Sequence, residues 1–356
     1  MKRHVTLILL ALAVVPRVGA QEDTTAREEV GPPRGSVGWR IRRAPAVDLW
    51  YHGMAAAGLD DPEAPLPLYS ADYAARMRDI KQDLGVRTAL DSLGKELAAE
   101  FSEADMPELF HFLPLYFQGV EVASLLDALT LVAQRRTRDS TLQRRGLRFG
   151  VAVVARGTQR KEERRLLEKF VGALRDEWLL FYQGYLESRS GEDSTFVAGV
   201  QALWDSVLGP GLEPFLSSAG LRGGTIYVSP AVGPEGRLVL GDMAEGVGHV
   251  VAVGVPAEAS NPDVVAFAAL KELCFAFLDE AVARGSEFED ERAHAAVRCG
   301  ALLLEFYAPI LTARYRRAFL TLGGSPEARS VGAFESMYPL TPEVYEALRR
   351  AIRRRR

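Results

Sequence analysis

Two cysteines in 356 residues are too few for a disulfide scaffold and too few to close a structural zinc site by themselves. Histidine is scarce as well: His4, His52, His111, His249 and His294 are the whole supply. Beyond the N-terminus, no apolar segment reaches the roughly 20 residues that a bilayer-spanning helix needs without meeting charges. No Gly-x-Ser-x-Gly elbow, P-loop or dinucleotide fingerprint occurs, and Gly223-Gly224 and Gly323-Gly324 read as turns outside any phosphate-loop pattern. Positive charge is not in excess either. With 43 Lys and Arg against 47 Asp and Glu, the formal charge is −4, which argues against a general nucleic-acid binder.

What is present begins with an export signal. Lys2 and Arg3 precede an apolar stretch over 5–15, and Val18-Gly19-Ala20 supplies the small-residue cleavage pattern. The expected mature chain starts at Gln21, in the periplasm or outside the cell. No cysteine follows the apolar stretch to carry a lipid. Cleavage removes Lys2, Arg3 and Arg17, moving the formal charge from −4 to −7. About 336 residues remain, enough for one large domain or two smaller ones. Residues 21–45 are polar and Gly/Pro-bearing and read as a flexible leader, with structure expected to begin near Val47.

Between 71 and 138 the apolar residues recur at helical spacing: Tyr73, Met77, Ile80 and Leu84, then Leu90, Leu93, Leu97 and Phe101, then Val122, Leu125, Leu129 and Val132. Ser70 and Asp72 are available as caps. The β-branched run at 147–155 predicts a strand. Helices are predicted over 161–188 and over 194–208, the second capped by Asp193 or Ser194. Three short runs at 225–229, 237–240 and 249–255, separated by Gly/Pro turns, predict strands. Helices over 263–283, 288–320 with a kink at Pro309, and 342–353 complete the chain. The expected fold class is α+β: mostly helical, with a small central antiparallel or mixed sheet of about four strands and helices on one side. The expected organisation is a helical region over 46–140 packed as one unit with an α+β region over 141–353, then a basic tail at 354–356.

The segment Lys271-Glu272-Leu273-Cys274-Phe275 lies in the apolar helix 263–283. At about 100° per residue, with Lys271 at zero, Phe275 falls near 40°, Asp279 near 80°, Glu272 near 100° and Glu280 near 180°. The rest of the circumference is apolar, so the helix is expected to be buried with one narrow polar strip. The order of elements around it resembles the zincin metallopeptidases, closest to secreted members with short strands just before a His-Glu-x-x-His helix. By that resemblance Lys271 stands at the first His, Glu272 at the Glu and Phe275 at the second His. In zincins the two histidines bind zinc and the Glu polarises the attacking water. Here only Glu272 matches. A phenyl ring has no lone pair, and an ammonium repels zinc. Three protein ligands and an open position therefore do not form at this place. The ammonium of Lys271 is expected to replace the metal charge and to pair with Glu272 or Asp279.

Three functional readings follow. The first is a non-catalytic, metallopeptidase-like binding or scaffold protein, without metal or cofactor. The second is an active metallohydrolase with a non-standard ligand set, such as Glu272 with His249 and a distant carboxylate. The third is an envelope-associated structural or interaction protein. It would use the basic C-terminus, where Arg349, Arg350, Arg353, Arg354, Arg355 and Arg356 crowd the last eight residues. Each such charge contributes about 1 kcal/mol near an anionic surface. The same arginines also suit a helix C-terminus and a solvated tail. An oxidising compartment permits a Cys274–Cys299 disulfide between neighbouring helices; two buried thiols fit the sequence equally.

Overall fold

A strand hidden in a polar stretch organises the sheet. In Gly38–Arg42 (β1), Trp39 and Ile41 are buried while Arg40 is exposed, a period-two alternation set among arginines. The expected leader over 21–45 therefore ends before residue 38, and structure begins earlier than Val47. The computed structural model describes residues 38–59, 66–103, 107–144, 146–241, 247–255, 262–281 and 286–355. The expected signal peptide, its cleavage after Ala20, the start of the leader and Arg356 lie outside the described residues.

Helices α1 (Pro45–Ala56), α2 (Ala71–Asp83), α3 (Ala89–Glu103), α4 (Pro107–Phe112), α5 (Val122–Ala133), α6 (Arg148–Gly157) and α7 (Lys161–Glu177) come first. Two π-helical turns, Trp178–Tyr182 and Trp204–Leu208, join α7 to α8 (Gln183–Leu203) and α8 to α9 (Gly209–Ser218). Strands β2 (Gly223–Ser229), β3 (Arg237–Val239) and β4 (His249–Gly254) follow. The chain closes with α10 (Pro262–Ala281), α11 (Ser286–Tyr307), α12 (Pro309–Leu322), α13 (Val331–Met337) and α14 (Pro342–Arg354). The fold is α+β and mostly helical, with one small mixed sheet.

The strand order is β1-β2-β4-β3. β1–β2 and β2–β4 pair in parallel, and β3 pairs antiparallel with β4 as an edge strand. The strands β2 and β3 are consecutive but not hydrogen-bonded neighbours, and of these three successive strands only β3 and β4 pair antiparallel. Both faces of the sheet are buried, and this corrects the expectation of helices on one side. Tyr227, Val239, Val250 and Ala252 face a core built from α1 to α7, around Trp50, Tyr73, Leu129 and Phe170. Ile226, Val228, Val251 and Val253 face a second core built from α9 to α14, around Phe215, Phe267, Leu303 and Phe319. Parallel strands buried on both sides read as continuous apolar runs, as β4 does.

Two further expectations change. The run 147–155 is not a strand but most of α6. Its buried residues Leu147, Val151 and Val154 recur at helical spacing, and the Phe117 ring lies against Gly150, where a Cβ would meet it at 2.7 Å. Packing against α5 overrides the β preference of its valines. The helix expected to start at Ser194 has no start there. α8 runs through this point, the Ser194 hydroxyl donates to the Ser190 carbonyl, and Asp193 pairs with Arg43. Pro210 sits in the first turn of α9, which follows directly on the second π-turn. Elsewhere Ser70 caps α2 by accepting from the Tyr73 amide, and the chain breaks at Ala308 just before Pro309.

Candidate functional site

The helix α10 packs on the sheet through β4, and its one polar strip lies beneath the turn that leads into the edge strand β3. Lys271 Nζ is 2.7 Å from Glu235 Oε2 and 2.7 Å from Glu272 Oε1. Glu272 Oε1 also accepts from the Gly236 amide at 3.0 Å. Gly236 is required by this approach: a Cβ there would lie 2.7 Å from the Glu272 carboxyl carbon and 2.8 Å from the Ala252 carbonyl oxygen. The guanidinium of Arg237 locks the turn from the other side, donating to the carbonyls of Glu235 and Gly236 at 2.8 Å each.

Lys271 and Glu272 are 1% and 2% exposed, so the strip faces neither a cleft nor solvent. Burial opposes the charge on Lys271, but Glu235 and Glu272 outweigh it and hold its pKa above the ordinary lysine value. Glu272 is shifted upward, by burial first and by the Glu235 charge, with Lys271 pulling the other way. Phe275 is partly buried, with Lys271 Nζ 5.4 Å and the Arg292 guanidinium 5.9 Å from its ring centre. Lys271, Glu272 and Phe275 are therefore brought together as expected. The counter-ion is Glu272 together with Glu235; the Asp279 side chain lies outside the described residues. Glu235 was missed because in sequence it is one residue of a Gly/Pro turn 36 positions away. The usable signal was indirect: a lysine on a buried helix needs a carboxylate from somewhere.

The histidines do not assemble around Glu272. His249 Nδ1 accepts from the Gly241 amide at 3.1 Å and its Nε2 donates to the Gly220 carbonyl at 3.0 Å. Its one lone pair is therefore in use, and burial lowers its pKa. His111 shares a 2.7 Å hydrogen bond with the Tyr69 hydroxyl, and its pKa is lowered to about 3 by burial and the Arg237 charge. His294 meets Tyr338 edge-on. Glu291 caps α14 at the Thr341 amide, and Arg298 pairs with Glu335. Among the described residues no group of three or more His, Cys, Asp or Glu side chains is placed to hold a metal ion.

A second buried cluster was not anticipated. Glu177, the last residue of α7, is fully buried. Its Oε1 accepts from His52 Nε2 at 2.9 Å and from Lys81 Nζ at 3.1 Å. Its Oε2 accepts from Lys81 at 2.8 Å and from the Thr88 hydroxyl. His52 Nδ1 is 3.0 Å from the Tyr73 hydroxyl, which donates to Tyr182. The π-turn after Glu177 directs Phe181 and Tyr182 inward, and Tyr182 stacks on His52 at 4.2 Å. Burial pushes the Glu177 pKa upward, but His52, Lys81 and Thr88 outweigh it and hold it at about 2. In sequence His52 follows Trp50 and Tyr51, and Lys81 lies in a helix 29 positions later, and neither position announces their meeting at Glu177.

Cys274 and Cys299 are buried, unbridged and adjacent in the second core. Burial, then the Cys299 thiol, pushes the Cys274 pKa well up, and both thiols are closed off from solvent. Native protein should resist iodoacetamide, and protein unfolded without reductant should take up two labels by mass spectrometry. No label and a mass lower by two hydrogens would instead establish a bridge. At the C-terminus α14 extends through Arg354, so the expected tail begins inside the helix, with Arg355 as its C-cap. Arg355 donates to Ser218 at 3.2 Å and covers Phe277, and Arg353 covers Phe306.

Comparison with family models, with curated proteins and with solved structures finds no match to this chain. What can be said of function rests on the chain's own chemistry. At Lys271 that chemistry is a closed, charge-compensated knot with no room for substrate.

Proposed function

We propose that this is an exported, non-catalytic protein on a zincin-like scaffold, serving as a binding or scaffold protein. The observation that carries this reading is the Lys271 ammonium held 2.7 Å from each of two carboxylates at the place of the first metal ligand. The edge strand β3 beside α10 is in keeping with such a scaffold. The donor set does not fit zinc: Lys271 holds a proton that its partners stabilise, and Phe275 has nothing to donate. The ligand set built on Glu272 and His249 is disfavoured by the lone pair that His249 has already committed to Gly241.

Metal analysis of protein purified without chelator tests the proposal directly. Zinc far below one equivalent per chain, and a melting temperature indifferent to EDTA, are expected. Stoichiometric zinc would overturn it in favour of the metallohydrolase.

A further inference from the structure

The connection between α5 and α6 carries exposed arginines at 135, 136, 138, 144 and 148. Its one described carboxylate, Asp139, is already occupied. Asp139 Oδ1 accepts from the Thr141 amide at 3.1 Å and its hydroxyl at 2.8 Å, and Oδ2 accepts from Arg136 at 3.0 Å. Arg135, Arg138, Arg144 and Arg148 have no ion-pair partner among the described residues. In this corner of a chain whose overall charge is negative, Arg135, Arg136 and Arg138 gather around that one carboxylate, and Arg144 and Arg148 add positive charge further along the same connection.

The corner is concave. Residues 135–139 line a hollow of about 430 Å³ open to solvent. Its shape comes from the end of α5. The Arg135 amide donates to the Val132 carbonyl at 3.0 Å and the Arg136 amide to the Leu131 carbonyl at 2.8 Å, the pairing of a Schellman motif. That motif places Arg135 at φ 59°, the only positive φ of a non-glycine residue among the described residues. Glycine is the residue that fits this conformation without cost, and a side chain here costs about 1 kcal/mol. An arginine therefore stands where the fold alone favours glycine, and it lines the hollow.

We infer that this corner binds ligands carrying closely spaced phosphate groups. The guanidinium fork donates two parallel hydrogen bonds to a phosphate, and a multivalent anion relieves the mutual repulsion of the unpaired arginines. The C-terminal arginines are a weaker candidate, because Arg349 has Glu346 within 3.8 Å and Arg353 and Arg355 are spread over the protein's own aromatic rings.

The test uses the full chain with two probes: sodium tripolyphosphate by titration calorimetry, and phosphatidylglycerol vesicles by co-sedimentation. Wild type should bind tripolyphosphate with an affinity that falls as salt rises. Arg135→Gly combined with Arg138→Ala should weaken binding by roughly tenfold or more, and Arg353→Ala with Arg354→Ala should not. Arg135→Gly alone should leave the melting temperature unchanged or higher, which separates lost binding from lost folding. Vesicle binding that the same double variant abolishes would identify a lipid headgroup as the phosphate source. Tripolyphosphate binding without vesicle binding would identify a soluble oligophosphate. Wild type binding neither probe, or binding unaffected by the 135/138 variant, overturns the inference.

Discussion

Glu177→Gln is expected to lower the stability of the protein by about 3–5 kcal/mol, because it strands Lys81 and the His52 ring in a dry interior. Lys81 keeps a second partner, Asp91 at 2.7 Å, but that carboxylate is 40% exposed and leaves the buried half of the network unanswered. The urea midpoint at neutral pH reads the loss. A surface comparison sets the scale: Asp127 and Arg175 pair at 2.8 Å but are largely in water, so Asp127→Asn should cost under about 1 kcal/mol. A Glu177→Gln effect no larger than that of Asp127→Asn would refute the role given to the cluster. The acid limb gives an independent check. The Glu177 pKa is held at about 2 in the fold against 4.5 in the unfolded chain. A depressed carboxylate contributes stability that is present above the unfolded value and lost as pH falls toward the folded one. That difference amounts to about 3 kcal/mol, so wild type should lose roughly this much between pH 5 and pH 2 from this group alone. Glu177→Gln should flatten that limb.

The sequence made visible what depends on near neighbours along the chain. Helical spacing marked α2, α3, α5, α10 and α14, and the Gly/Pro turns marked β2, β3 and β4. It misled where local preference and period disagreed. In 147–155 the valines favoured a strand while Leu147, Val151 and Val154 kept helical time, and packing followed the period. It was silent where a meeting is long-range. β1 is two apolar residues among arginines, stable only because β2 offers it an edge 185 residues later. The same holds for the site. Lys271, Glu272 and Phe275 were visible because they share one helix. Glu235 and the triad of His52, Lys81 and Glu177 were not, since each member comes from a different element and looks ordinary on its own. Two buried charge knots, one in each core, are what the folded chain adds to the pattern.

Lys271→Met is expected to be the most damaging single change at the candidate site, by about 3–5 kcal/mol at pH 8. Methionine fills the lysine's volume, so the effect isolates the charge. Without the ammonium, buried Glu272 faces Glu235 with the Gly236 amide and the more weakly acting Arg237 charge to answer it. Burial and Glu235 already push its pKa upward, and Lys271 is the main restraint on that rise. A carboxyl whose folded pKa lies above its unfolded one costs stability as pH rises above the unfolded value, so the defect should shrink toward pH 5. Glu272→Gln on top of Lys271→Met removes the stranded charge and keeps an oxygen to accept from Gly236. The double variant should therefore be more stable than Lys271→Met alone, a sign reversal that simple additivity forbids. If the polar strip of α10 were instead a solvated face, Lys271→Met would fall within about 0.5 kcal/mol of wild type and show no pH dependence. The double variant also bears on function. If the knot is a filled-in metal position that only holds α10 to the β3 turn, neutralising it should preserve the fold and whatever binding the protein performs.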